Sequence, residues 1–229
     1  MGKHKVYLTQ RDRRMLRFVD RYRLATDELF AAVLFDGPHR MTNVARVTRK
    51  LVRRGWLRRV KYASGRSYLV LTRRGCRTIG APDRVPRPLT EHSLPVVLGI
   101  ATYCVRAGLT RFTDREFRKR YPELWRPGLR SSSYFLVDTP QGLKLGMFLV
   151  DRGGTARRLK GKIRRLVTQR KSLPAFASLM KAGRFRVTVL TGLPAQQQNI
   201  RRQVARLSFR GVEVEVGLVP DLGELLTTR

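Results

Sequence analysis

Acidic side chains are scarce in this sequence: 16 Asp and Glu stand against 49 Lys and Arg in 229 residues, a formal net charge of +33. Self-repulsion of that size raises the cost of the compact state and calls for a polyanionic partner, usually nucleic acid. Cysteine and histidine are scarcer still. Cys76 and Cys104, with His4, His39 and His92, are scattered along the chain. That excludes a zinc finger or a disulfide framework and suits a reducing cytoplasm. The longest central stretch without a charged residue, His92 to Val105, has 14 residues and contains Pro95, against roughly 20 needed to span a bilayer. No apolar segment follows the basic N-terminus, so no secretion signal is read. The patterns G-x-x-x-x-G-K-[ST], G-x-G-x-x-G and G-x-S-x-G are all missing, which leaves nucleotide hydrolysis and serine chemistry without a basis. No catalytic residue, metal or cofactor is expected.

What is present suffices for packed cores: 42% of residues are hydrophobic and 8% aromatic, which argues against general disorder. The length fits two small domains. Gly80-Ala-Pro-Asp-Arg-Val-Pro-Arg-Pro88 holds three prolines in seven residues and reads as a semi-rigid connector. The expected division is therefore a DNA-binding domain over 1–80, a Pro-rich linker over 81–92, and an α/β domain over 93–229. Residues 1–80 carry a net +16 and the remainder +17, so positive charge is denser in the first part.

Threonine caps organise the first 80 residues. Thr9 precedes a helix with Asp12 in its first turn and an apolar stripe of Met15, Leu16, Phe18 and Val19. Thr26, followed by Asp27 and Glu28, opens a short helix carrying Leu29, Val33 and Leu34, which Asp36-Gly37-Pro38 ends. Thr42 is read as the cap of a third helix running to about Arg54, with Gly55 as its stop. Trp56–Tyr62 and Ser67–Leu71 are β-rich runs joined by Ala63-Ser-Gly-Arg66, a hairpin signal, and Thr72–Ile79 forms a last short helix. Three helices followed by a hairpin spell a winged helix-turn-helix.

The third helix carries the functional expectation. At 100° per residue, Val44, Val47, Thr48 and Leu51 share about one-third of the circumference. The opposite side holds Thr42, Arg46, Arg49, Lys50 and Arg53, with Asn43 at its margin and no acid between Thr42 and Trp56. Intrahelical salt bridges cannot account for such a face, since they need an alternating partner. A helix of this size fits the major groove of B-DNA, where arginine pairs with guanine and asparagine with adenine. Lys50 is read as a phosphate contact. At the hairpin tip, small Ser64 and Gly65 permit close approach to a phosphate or minor groove, and Arg66 can enter it. Trp56 is expected as a core plug, and Tyr62 with Tyr68 as a packed pair.

In the second part, 93 to about 107 reads as an apolar helix and Thr113–Arg120 as a capped polar one. Ser132–Asp138 and Leu143–Asp151 read as strands joined by the turn Thr139-Pro-Gln-Gly142. A basic helix from Thr155 to about Lys171 follows, then an apolar stretch Leu173–Met180, a strand Phe185–Thr191, a helix Pro194–Leu207 and a strand Val212–Val219. That order argues an α/β sheet layered with helices. In the basic helix, Arg157, Arg158, Lys160, Lys162, Arg164 and Arg165 are read as distributed around nearly all sides, some of them simply solvated.

Leu8-Thr-Gln-Arg-Asp12, Leu51-Val-Arg-Arg-Gly-Trp-Leu57, Leu71-Thr-Arg-Arg-Gly75 and Phe148-Leu-Val-Asp-Arg-Gly-Gly-Thr155, the last followed by Lys160 and Lys162, give most of the chain a resemblance to the replication-relaxation family of bacterial mobile-element proteins. The resemblance implies a winged helix followed by a domain similar to the restriction-endonuclease fold. It also implies Pro-Asp on one strand and Glu-x-Asp-Arg-Gly on the next. Here Arg130-Ser-Ser-Ser133 stands in place of the first and Leu149 in place of the glutamate, so only Asp151 remains and the domain is expected to be degenerate.

The leading expectation is a sequence-specific double-stranded DNA-binding protein of a plasmid, phage or integrative element, located in the cytoplasm with the nucleoid. It would act as a transcriptional regulator or an origin-binding factor in replication or conjugative transfer. It would work as a homodimer joined through the second domain, with other replication, transfer or transcription proteins as further partners. One alternative is a Mg²⁺-dependent nuclease using Asp138 and Asp151. Another is a structured-RNA-binding protein.

Overall fold

A computed structural model describes residues 7–62, 65–82, 88–129, 133–205 and 209–227. The chain is mixed α and β and divides into two compact units, Met1–Ala101 and Thr102–Arg229.

In the first unit, helices α1 (Gln10–Tyr22), α2 (Asp27–Leu34) and α3 (Arg40–Arg53) precede an antiparallel hairpin of β1 (Leu57–Lys61) and β2 (Ser67–Leu71), then helix α4 (Arg73–Ile79). Thr9, Thr26 and Thr72 each accept a backbone N–H of the first turn they precede, and Thr9 with Asp12 closes a reciprocal capping box. Such caps are worth about 1 kcal/mol each and fix where a helix starts. The connector between α1 and α2 joins the hairpin, because Ala25 and Leu69 exchange both backbone hydrogen bonds at 3.0 and 2.7 Å. Met15, Leu16, Val19, Phe30, Val44, Val47, Leu51, Trp56, Leu57, Leu69 and Leu71 form one buried cluster beneath these elements. Trp56 is the expected core plug. The chain runs so close beside it that a methyl group at Gly75 would collide with the Trp56 carbonyl oxygen. Val33, expected on the apolar stripe of α2, is exposed, and Phe30 and Ala31 are buried instead. With the expected Leu29, the short helix thus turns three consecutive residues of its N-terminal half inward.

The division between units falls inside α5 (Leu94–Arg106), not in the proline-rich stretch. Residues 83–87 of that stretch lie outside the described residues. Just beyond them the buried Leu89 donates its backbone N–H to the Tyr68 hydroxyl at 3.0 Å, which fastens the chain to the hairpin.

The second unit holds a four-stranded sheet in the order β3 (Tyr134–Thr139), β4 (Gly142–Val150), β5 (Phe185–Thr191), β6 (Val212–Leu218). The first pair is antiparallel and the other two are parallel. The helices are α6 (Asp114–Arg120), α7 (Ala156–Lys171), α8 (Pro174–Lys181), α9 (Pro194–Ala205) and α10 (Pro220–Thr227). The expected order of strands and helices is observed. The apolar stretch at 173–180 is α8, opened by Pro174 in its first turn. No element was foreseen at α10.

Parallel neighbours require crossovers, and right-handed ones place α7, α8 and α9 on one face. There Leu159, Ile163, Val167, Phe176, Met180, Ile200 and Val204 share a core with Tyr134, Leu145, Met147, Val187, Val189 and Val216. Arg170, 3% exposed, is held in this core by donating to the Tyr134 hydroxyl at 2.6 Å and to the Leu166 carbonyl at 3.1 Å. Burial raises the Tyr134 hydroxyl pKa, with the arginine opposing.

The strand residues that alternate with these point to the opposite face, which is partly charged. Arg186 bridges Glu213 at 2.6 Å and Glu215 at 3.1 Å, and Lys144 reaches Glu213 at 2.9 Å. Burial, followed by the neighbouring Glu215 carboxylate, pushes the Tyr103 hydroxyl up to about 12. Burial also pushes the Glu213 carboxyl upward, but hydrogen bonds from Lys144 and Arg186, together with their charges, outweigh it and hold the group below its ordinary value. A carboxylate with a depressed folded pKa stabilises above its unfolded pKa of about 4.3 and loses that contribution as pH falls through the folded value. Glu213→Gln should therefore melt below the parent protein at pH 6. The gap in thermal midpoint should close as pH drops below about 4, which a pH series of thermal melts would check.

Candidate nucleic-acid interface

Helix α3 presents the face that its sequence predicts. Val44, Val47, Thr48 and Leu51 are buried, while Thr42, Arg46, Arg49 and Arg53 are exposed. The side chains of Arg49 and Arg53 have no hydrogen bond or ion pair among the described residues. Arg46 donates to the Asn43 side-chain oxygen at 3.4 Å. This pairs the two groups expected to read guanine and adenine one turn apart on the N-terminal half of the helix.

The start of α3 differs from expectation. The helix begins at Arg40 after His39, which makes no side-chain cap, so Thr42 lies within the first turn instead of capping it. The cause is the turn before it: Gly37, at φ +82°, accepts the Arg40 N–H at 3.3 Å and starts the helical path three residues early. The Thr42 hydroxyl thereby becomes an exposed group beside Asn43, with no hydrogen-bond partner among the described residues. The C-terminal stop is as expected, with Gly55 at φ +71° donating to the Val52 carbonyl.

Lys50, expected to hold phosphate, has its Nζ 2.7 Å from Asp12 Oδ2. Asp12 is fully buried, and the same oxygen accepts the Thr9 N–H of the capping box. One carboxylate thus caps α1 and anchors α3, and any phosphate reaching Lys50 competes with it. The pair spans 38 positions in sequence, so no local pattern announces it. The only hint is Asp12 as a lone acid between Arg11 and Arg13.

A second tie sets the hairpin against the helices. The Arg59 guanidinium donates to both Asp27 oxygens at 3.0 and 3.2 Å, to the Ser67 hydroxyl at 2.9 Å and to the Thr48 hydroxyl at 3.3 Å. One side chain on β1 thereby joins the first turn of α2, the flank of α3 and β2. An exposed pair alone is worth 0–1 kcal/mol, but a bidentate arginine within a network is the favourable case. Sequence reading missed Arg59 because it lies on the exposed side of a strand where a cation needs no explanation. At the hairpin tip, Gly65, at φ +72°, and Arg66 are exposed, while Ser64 lies outside the described residues. The Tyr62 and Tyr68 rings pack 5.8 Å apart.

The two carboxylates of the nuclease alternative are not brought together. Asp138 pairs in register with Leu143 at the start of β4, whereas Asp151 follows its other end. Eight residues of strand separate these positions, roughly 26 Å at 3.3 Å per residue. Asp151 is buried and accepts from Gln196 at 3.4 Å; Asp138 is exposed beside a shallow cleft of about 510 Å³. Two acids so far apart cannot share one Mg²⁺, whose ligands lie about 2.1 Å from the ion. Among the described residues, no three His, Cys, Asp or Glu side chains are grouped to hold a metal, and no helix is long and apolar enough to cross a membrane. Compared with known protein families, with curated proteins and with solved structures, the chain matches none.

The ion pair separates two neighbouring cations by role. Lys50→Ala leaves a buried carboxylate unmatched and should cost about 1–2 kcal/mol, lowering the thermal midpoint by roughly 5–10 °C. Arg49→Ala, on the free face, should change stability by less than about 0.5 kcal/mol. Parallel melts of the two variants would check this.

Proposed function

We propose that the protein binds double-stranded DNA sequence-specifically, its first unit acting as a winged helix-turn-helix with α3 in the major groove. The observation that carries this reading is the outward face of α3, where Arg46, Arg49 and Arg53 are exposed on a helix that contains no acid. A cationic face without internal partners is poorly stable unless counter-charges arrive from outside, and phosphates supply them. Arg46 with Asn43, near the helix N-terminus, offers donors and an acceptor for base edges. Arg49 and Arg53 lie further along and suit either guanine or backbone. The tie through Arg59 favours a rigid hairpin, which lets Gly65 and Arg66 reach the flanking backbone in register with the helix.

The resemblance to the replication-relaxation family supports the same reading. It would make the protein one of a plasmid, phage or integrative element, a transcriptional regulator or an origin-binding factor in replication or transfer. A homodimer joined through the second unit belongs to this proposal and predicts paired half-sites about one helical turn, or a multiple, apart. The separation of Asp138 from Asp151 disfavours the nuclease alternative.

Replacing Arg46, Arg49 and Arg53 together by Ala tests the assignment. Each base-reading contact is worth about 1–3 kcal/mol. Affinity for a site selected from random duplexes should fall by at least about a hundredfold, and affinity for unrelated duplex by much less. Equal loss on both would leave α3 as a phosphate contact only, and no loss on either would remove it from the interface.

A further inference from the structure

A second cationic surface lies on the other unit, on a helix that the reading above does not use. From Arg152 to Val212 the chain contains no Asp or Glu and 16 Lys or Arg. This interval includes α7, α8 and α9, the helical layer on one face of the sheet. The acids of β6, Glu213 and Glu215, point to the opposite face, where Lys144 and Arg186 neutralise them. These three helices are therefore positive with no carboxylate of their own, in contrast to α6, which packs on the same core through Phe117 and carries Asp114 and Glu116.

The expectation that the α7 cations surround the helix is corrected by its burial pattern. Ala156, Leu159, Ile163, Val167 and Arg170 face the sheet. At 100° per residue, Arg157, Arg158, Lys162, Arg164 and Arg165 fall on the outward half, and all five are exposed. None of their side chains has a hydrogen bond or ion pair among the described residues. Lys160 alone sits at the margin, half-buried.

Four of these arginines share a geometric centre. Gly161 has Arg157 and Arg158 at i−4 and i−3, and Arg164 and Arg165 at i+3 and i+4, the positions that neighbour a residue on a helix surface. A Cβ added at Gly161 would meet nothing within 4 Å. A helix-interior glycine costs about 1 kcal/mol relative to alanine, and packing gives no reason for it here. It leaves a bare stretch of backbone floored between two arginine pairs. Seven residues separate the pairs, about 10.5 Å along the axis at 1.5 Å per residue. That is close to the roughly 12 Å width of the major groove, so the pairs can reach phosphates of both strands.

We propose that this arginine cradle around Gly161 is a second, sequence-independent grip on the phosphate backbone of duplex DNA. Duplex DNA as partner rests on the reading of α3, although the cradle itself does not. Arginine suits the task because its planar fork pairs with phosphate in a bidentate manner and stays charged at any physiological pH. Together the two surfaces would divide the work, α3 choosing the sequence and α7 supplying affinity to any sequence.

The test uses the full chain with Arg157, Arg158, Arg164 and Arg165 all replaced by Gln, and separately Gly161→Leu, which fills the floor while keeping every charge. Binding to the selected site and to a random duplex is measured as a function of salt. Four lost phosphate contacts should flatten the slope of log affinity against log salt by about 3 to 4. Affinity should fall at least about tenfold on both duplexes, leaving their ratio unchanged. Gly161→Leu should weaken both duplexes alike while melting no lower than the parent, since leucine is the better helix former. An unchanged slope in the fourfold variant would overturn the proposal. So would a loss confined to the selected site, or a loss seen with duplex RNA and not with DNA. If the parent protein shows no sequence preference but the fourfold variant still flattens the slope, the α3 reading fails and the cradle stands.

Discussion

Sixteen carboxylates must serve 49 cations in this protein, and where those few carboxylates go decides most of what the surface can do. The best-placed ones sit at joints. Asp12 caps α1 and holds α3 through Lys50; Asp27 holds the hairpin through Arg59; Glu213 and Glu215 share Arg186 and Lys144 across the strands of the sheet. Each lies where two elements meet, so it gains a hydrogen-bond network as well as a charge pair, and in that setting an ion pair contributes more than at an open surface. With the acids drawn into joints, the outward faces of α3 and α7 are left cationic and unmatched.

That distribution links stability to binding. A protein with a net +33 repels itself most where cations cluster, and a bound polyanion would relieve that repulsion. The outward cations of α3 and α7 are exposed on helices whose other side is tightly buried, so each helix is fixed by apolar contacts and its charged side chains are free to meet a ligand. Val44, Val47 and Leu51 do this for α3, and Leu159, Ile163 and Val167 for α7. Lys50 shows the contrast: one residue from Arg49 in sequence, it is pulled to the margin by a buried partner and becomes part of the fold.

Much of the architecture was legible in the sequence because its signals are local. Threonine caps at 9, 26 and 72 and glycine at 55 mark helix ends through contacts within one turn, and β5 begins and ends where alternation and β-branching place it. The order of strands and helices after residue 133 followed from the same patterns. What escaped were contacts between distant positions. Asp12 with Lys50, and Asp27 with Arg59, lie more than 30 residues apart, and no periodicity encodes them. Thr42 was misplaced as a cap because the preceding glycine turn could start the helix without a side-chain oxygen. The compact units divide inside α5, away from the prolines, and nothing in the sequence near Leu89 reveals that its N–H finds the Tyr68 hydroxyl. For α7, six cations in nine positions concealed that Gly161 and the buried stripe gather five of them on one side.

The most direct test of DNA reading by α3 is a proximity measurement. Cys76 and Cys104 are buried, so a Met41→Cys variant carries a single exposed thiol on the first turn of α3, to which an iron chelate can be attached. Bound to its selected duplex, the labelled protein should cut both strands within a few base pairs of one point in each half-site, across the major groove there. Full occupancy of the duplex without cleavage, or cuts scattered evenly along it, would contradict the placement of α3 in the groove.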